Sequence, residues 1–85
     1  DGFITDSLGW VYYKKGEYAK ALDHLKKAHE LVPDDPTIME HVGDAYFKLN
    51  DKVNALKYYQ KALSKKDQEK EELQKKIKQL KEGGR

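Results

Sequence analysis

Apolar and small side chains recur at steps of three and four residues along most of this chain, which is the spacing of amphipathic helices. The first such stretch places Leu8, Val11 and Tyr12 on one stripe, which we expect to face the core. The second stretch repeats the spacing with Ala21, Leu22, Leu25, Ala28 and Leu31. The pattern as a whole predicts five helices, at about 4–15, 18–31, 36–49, 52–65 and 67–82.

The first four predicted helices form two similar halves. Within these helices, shifting the sequence by 34 residues superimposes eight identical pairs. They are Ile4/Ile38, Gly9/Gly43, Tyr12/Tyr46, Lys14/Lys48, Ala21/Ala55, Leu22/Leu56, Lys27/Lys61 and Ala28/Ala62. A fixed period of this length is typical of helical repeat proteins, in which each repeat buries its apolar face against its neighbour.

The residues that carry this period resemble the signature of the tetratricopeptide-repeat (TPR) family. The first half contains Leu8-Gly9-x-x-Tyr12, Ala21-x-x-x-Leu25, Ala28 and Pro33. The second contains Val42-Gly43-x-x-Tyr46, Ala55-x-x-x-Tyr59 and Ala62. Thr5 and Met39 stand where the family often has Trp, and Asp67 replaces the second proline.

This resemblance implies an all-α fold in which antiparallel helix-turn-helix repeats stack as a short right-handed solenoid of about five helices. Repeat 1 then occupies 2–35, repeat 2 occupies 36–69, a C-terminal capping helix occupies 67–82, and 83–85 form a flexible tail. We expect the chain to be the C-terminal part of a longer TPR protein.

The predicted helix ends carry suitable residues. Gly16 suits the left-handed conformation that ends a helix, and Asn50 occupies the matching place in the second repeat. Asp35 is placed to cap the third helix, with Pro36 at its first position. The fifth helix has only a narrow apolar stripe of Leu73, Ile77 and Leu80, as expected for the end of a solenoid.

Charge and composition restrict the function more than they define it. The net charge of +2 divides into −1 over residues 1–63 (9 basic, 10 acidic) and +3 over residues 64–85 (8 basic, 5 acidic). This mild basicity, without aromatic residues in the tail, argues against nucleic acid as a partner. No apolar run approaches the roughly 20 residues of a membrane span, so we expect no membrane partner.

The sequence contains no pattern of catalytic, cofactor-binding or metal-binding residues. It has no cysteine, and therefore neither a disulfide nor a thiolate ligand. His24 and His29 are five residues apart, which is not the spacing that places two ligands on one helical face. We therefore expect no enzymatic activity, no cofactor and no metal. The cellular compartment stays open.

The resemblance implies that the first helix of each pair lines a concave groove that receives a peptide or helix of a protein partner. The corresponding positions are Asp6, Trp10, Tyr13, Lys14, Glu40, His41, Asp44, Phe47 and Lys48, with Gln74 and Lys78 continuing the surface on the fifth helix. Three interpretations of Trp10 stay open: a binding anchor in the groove, packing against an upstream repeat, or covering a neighbouring helix.

The acidic groove positions indicate the partner's charge. Asp6 would repel a C-terminal carboxylate, so a partner segment with apolar side chains and some basic character is expected.

A second hypothesis makes the chain a structural end module of a longer solenoid. Stable stacks need about three repeats, and this chain has two with a cap. Phe3, Ile4 and Trp10 would then be exposed, and the chain could form a homodimer through that N-terminal face.

Overall fold

The computed structural model describes residues 1–83, which fold into five helices. These are α1 (Gly2–Lys14), α2 (Tyr18–Leu31), α3 (Pro36–Lys48), α4 (Lys52–Lys65) and α5 (Glu71–Gly83). The predicted all-α fold is confirmed. Of the predicted tail at 83–85, Gly83 ends α5, and residues 84 and 85 lie outside the described residues.

The capping residues explain why the helices begin and end where they do. The Asp35 carboxylate accepts hydrogen bonds from the backbone N–H groups of Thr37 and Ile38, and Pro36 takes the first helical position of α3. Gly16 and Asn50 both adopt positive φ angles, of 82° and 66°. The two repeats therefore turn between their helices in the same way.

The fifth helix begins at Glu71, four residues later than the prediction of a helix from 67. Two backbone angles account for the difference. Lys66 is extended at the end of α4, and Glu69 has a φ of 55°, which a right-handed helix does not accept. Residues 66–70 therefore form a connection between α4 and α5.

Each repeat is a closely packed antiparallel pair, since a three-residue connection joins its two helices. Glycine permits the close approach. A Cβ on Gly9 would lie 2.8 Å from Leu25, and one on Gly43 would lie 2.7 Å from the Tyr59 ring. Neither position has room for a side chain, so both repeats need glycine here.

Two apolar clusters form the core. The first joins α2 to α3 through Ala21, Leu25, Val42 and Ala45. The second joins repeat 2 to α5, and its buried members are Met39, Ala55, Tyr59, Ala62, Leu73, Ile77 and Leu80. The predicted narrow stripe of α5 is thus buried in full.

Three residues predicted to belong to the apolar stripes are exposed instead: Leu8 (44%), Val11 (52%) and Leu31 (56%). The 34-residue period explains the first two. Leu8 and Val11 correspond to Val42 and Ala45, which are buried because α2 covers them. No described helix covers the equivalent face of α1. Leu31 corresponds to Lys65, a solvent-exposed position at the end of the second helix of the repeat.

Candidate functional site

A groove with a volume of about 850 Å³ runs beside α1, α3 and α5. Aromatic rings and lysines supply much of its wall. The lining residues are Trp10, Tyr13, Lys14, Asp44, Phe47, Lys48, Asn50, Lys52, Tyr59, Lys76, Gln79, Leu80 and Gly83. First helices of both repeats and the capping helix therefore contribute to one concave surface.

Most of the predicted groove residues do lie together. The groove is lined by Trp10, Tyr13, Lys14, Asp44, Phe47 and Lys48. Asp6, Glu40 and His41 do not line it but contact residues that do, or each other. Gln74 and Lys78, predicted to extend the surface on α5, are exposed and lie outside the groove lining.

Trp10 is held in a stack of three rings. Its indole stacks on Tyr13 with centroids 4.3 Å apart and on His41 with centroids 4.1 Å apart. The Lys14 ammonium lies 5.6 Å from the Trp10 ring centroid, within the range of a cation–π interaction. The indole is therefore half-buried and fixed in orientation at the wall of the groove.

The His41 ring is itself held by α1. His41 Nδ1 lies 2.8 Å from Asp6 Oδ1, and both side chains are largely buried. This contact joins the first helices of the two repeats beside Trp10. The Asp6 carboxylate is therefore already bonded to a residue of this chain.

The second polar group is a cluster of Glu40, Asp44, Tyr59 and Lys76, which we call the lysine cluster. Lys76 Nζ donates to Glu40 Oε2 at 2.7 Å and to Asp44 Oδ1 at 2.9 Å. The Tyr59 hydroxyl donates to the same Asp44 oxygen at 2.6 Å. The cluster fixes α5 to α3 across one side of the groove.

Electrostatics keep Lys76 in its charged form. Burial opposes the ammonium, but hydrogen bonds and charge attraction from Glu40 and Asp44 outweigh it and hold the pKa of Lys76 above its usual value. Burial and the hydrogen bond to Asp44 raise the pKa of Tyr59 far above that of a free phenol. Tyr59 is therefore a neutral donor at physiological pH.

These contacts remove the basis for expecting a basic partner. Asp6 pairs with His41, while Asp44 is only 7% exposed and accepts from both Tyr59 and Lys76. Glu40 is also bonded to Lys76. Each of the three predicted carboxylates therefore already has a bonding partner in this chain.

The groove also contains residues that are not among the predicted groove positions, above all Tyr59 and Lys76. In the sequence, Tyr59 appears only as part of the family signature. Lys76 had a signal in the sequence, because it falls on the same stripe of α5 as Leu73 and Leu80. A lysine on an apolar stripe needs buried acidic partners, and Glu40 and Asp44 lie four residues apart on one face of α3.

Each of the three histidines contacts a different residue. His41 pairs with Asp6, His24 contacts the Lys20 carbonyl oxygen, and His29 lies edge-on to the Tyr58 ring. Within residues 1–83, no three His, Asp or Glu side chains are grouped so that they could hold a metal ion. None of the helices there has the length and apolar character of a membrane span.

His29 provides a testable pH dependence. Burial, and then the nearby Lys61 cation, lower the pKa of His29, and its buried Nδ1 has no hydrogen-bond partner within residues 1–83. The unfolded chain therefore binds a proton more readily, so stability should fall as the pH drops through about 6.5 towards the lower folded pKa. Urea unfolding at pH 7 and pH 5 should show a smaller loss for His29→Gln than for the wild type. If the control His24→Gln reduced the loss of stability between pH 7 and pH 5 by the same amount, this assignment would be contradicted.

Comparison with known proteins agrees with this architecture. A TPR repeat profile matches residues 9–50, and a tetratricopeptide repeat profile matches residues 37–68. The chain belongs to the TPR family. The TPR repeats of this chain therefore place it among helical-repeat proteins that mediate protein–protein interactions.

Two similar proteins show the same relationship at the level of sequence and structure. The chain is 37% identical over 78 residues to the anaphase-promoting complex subunit CDC16 of Saccharomyces cerevisiae, a match of 84% of this chain and 9% of that protein. The N-terminal domain of stress-induced protein-1 (STI-1) from C. elegans superimposes with a TM-score of 0.81 at 25% identity. That match covers 95% of this chain and 68% of the STI-1 domain.

Proposed function

We propose that this TPR domain is a scaffold that holds a peptide or helix of a partner protein in the groove. The observation that carries the proposal is that Trp10 and Tyr13 of repeat 1 and Phe47 of repeat 2 line one concave surface. TPR repeats mediate protein–protein interactions, and the groove offers aromatic side chains from both repeats for one.

The aromatic residues have the properties of binding anchors. Hot spots are enriched in Trp and Tyr and are surrounded by polar groups that exclude water. The stack of Tyr13, Trp10 and His41 fixes the indole before any partner arrives, so binding loses little side-chain entropy. Phe47 is exposed at the groove and provides a second anchor.

The proposal is tested by the double variant Trp10→Ala, Phe47→Ala. Peptides selected on the wild-type domain from a phage-displayed library should bind the variant about 30-fold more weakly, since a hot spot contributes about 2 kcal/mol. Fluorescence anisotropy with the selected peptides measures the change, and circular dichroism shows whether the variant keeps its helices.

The matched control removes exposed apolar side chains outside the groove. Phe3 and Val53 are both strongly exposed, and neither lines the groove. Phe3→Ala, Val53→Ala should leave the affinity unchanged. Equal affinity for a folded groove variant, or a failure to select any peptide, would contradict binding in the groove.

The α1 stripe, composed of Ile4, Leu8 and Val11, favours a second function. Its three residues are exposed, whereas the corresponding Ile38, Val42 and Ala45 of α3 are fully buried. The stripe therefore has the chemistry of a surface that a helix like α2 covers. This supports the candidate function of an end module in a longer solenoid that self-associates when isolated. The chain spans about 9% of the length of the yeast relative.

Two copies of α1 are complementary in an antiparallel arrangement. In one register, the numbers of the two residues that face each other across the interface sum to 15. Ile4 of one copy then lies opposite Val11 of the other, and Asp1 lies opposite Lys14. Apolar side chains then meet at the two Ile4–Val11 pairs, Leu8 lies opposite Ser7, and opposite charges meet near the ends. Such an interface is isologous and closes as a dimer.

Leu8→Glu, Val11→Glu should abolish this self-association, because it would bring four carboxylates into the dimer interface. Sedimentation velocity should show a concentration-dependent dimer for the wild type and for the control Val53→Glu, but a monomer for the double variant. A wild-type chain that stays monomeric at every concentration would contradict self-association.

A further inference from the structure

The charged side chains in and beside the groove include carboxylates that are paired and ammonium groups that have no ion-pair partner. Asp6, Glu40 and Asp44 are all bonded to side chains of this chain. Lys14 and Lys48, in contrast, have no ion-pair partner within residues 1–83. The charge offered to a partner is therefore positive.

The paired carboxylates cannot easily change partners. Releasing Asp44 would leave the Tyr59 hydroxyl and the Lys76 ammonium without their shared acceptor in a largely buried site. A buried charge that loses its partner is costly, so a cation from a partner would compete poorly with Lys76. The carboxylates on this side of the groove are thus held in bonds within the fold.

The free lysines are placed next to the aromatic anchors. Lys14 and Lys48 occupy the same position of the two repeats. Lys14 lies one helical turn after Trp10, and Lys48 directly follows Phe47. Both are exposed and line the groove, and Lys52 adds a third cation there. Aromatic and cationic side chains therefore line the same groove.

Resting on the proposed function, we propose that the groove selects acidic partner segments, in which one or two carboxylates flank a large apolar side chain. The apolar side chain lies against Trp10 and Phe47, and the carboxylates meet Lys14 and Lys48. Opposite charges at such a rim increase the association rate and discriminate against basic partners. This reverses the partner charge that the sequence alone suggested.

The test compares two double variants with the same change in net charge. Lys14→Gln, Lys48→Gln removes two of the groove cations, and Lys26→Gln, Lys27→Gln removes two exposed lysines of α2 outside the groove. Peptides selected from the phage library should be enriched in Asp and Glu. The groove variant should bind them about tenfold more weakly, since exposed ion pairs are individually weak, and the control should bind them as the wild type does. Added salt should weaken the wild-type complex more than that of the groove variant.

The other outcomes separate this inference from the proposed function. Selected peptides that lack acidic residues, yet depend on Trp10 and Phe47, would overturn the charge preference and leave groove binding in place. Equal weakening by the two lysine double variants would also overturn it, since the effect would then come from net charge alone. A failure to select any peptide would overturn both proposals. Tighter binding of a single-stranded oligonucleotide than of any acidic peptide would overturn the assignment to a protein partner.

Discussion

Replacing Asp44 by alanine is expected to lower the free energy of unfolding by about 2–4 kcal/mol. One Asp44 oxygen accepts hydrogen bonds from both Tyr59 and Lys76, and the residue is only 7% exposed. Its removal leaves a buried phenol and a half-buried ammonium with fewer acceptors. Lys76 keeps its bond to Glu40, so the loss lies below that of an entirely isolated buried charge. Chemical denaturation followed by circular dichroism measures the difference.

Two further variants separate the hydrogen bond from the charge. Asp44→Asn keeps an acceptor for Tyr59 but removes the negative charge. Its free energy of unfolding should therefore lie between those of the wild type and Asp44→Ala. Asp34→Ala removes an exposed carboxylate that pairs with Lys65 at 3.4 Å, and it should cost less than about 1 kcal/mol. Equal losses for Asp44→Ala and Asp34→Ala would show that the lysine cluster does not stabilise the fold.

The helices of the two repeats were predictable because several independent signals agree on them. The apolar spacing, the 34-residue period, and the capping residues Asp35, Gly16 and Asn50 all indicate the same boundaries. The start of α5 was not predictable in this way. Glutamates favour the first turn of a helix, and nothing in the composition of 67–70 shows that Glu69 adopts a left-handed conformation.

The groove residues were predictable as positions but not as partners. The repeat predicts Asp6, Asp44 and Trp10 for the concave side, and of these Asp44 and Trp10 line the groove. Their bonding, however, depends on contacts between residues that are distant in sequence. Lys76 reaches Asp44 across 32 positions, and His41 reaches Asp6 across 35. The charge of the available surface is decided by these distant pairs, and periodicity contains no information about them.

The exposure of the α1 stripe illustrates the same distinction for packing. The family pattern identifies Leu8 and Val11 as apolar positions of a repeat, but burial requires a helix on that side. In α3 the equivalent residues meet α2, and no described helix covers those of α1. A repeat position thus predicts which surface can be buried, and the neighbouring repeat decides whether it is.

Truncating Leu73 to alanine should release α5 from the rest of the domain. Leu73 is fully buried in the cluster that joins α5 to Met39, Tyr59 and Ala62. The cavity should cost about 2–5 kcal/mol. An isolated helix of 13 residues is marginal in water, so a weakened α5 should undock and unfold before the repeats do. Hydrogen exchange should show lost protection over 71–83 and retained protection in α2 and α3.

Gln74→Ala is the matched control, because Gln74 is the exposed neighbour of Leu73 and its change leaves the core intact. It should retain exchange protection throughout. Undocking of α5 would also remove Lys76, Gln79 and Leu80 from the groove wall. Leu73→Ala should therefore weaken binding of the selected peptides, although Leu73 itself does not line the groove. Simultaneous loss of protection in all five helices would contradict local undocking and show that α5 and the repeats unfold as a single cooperative unit.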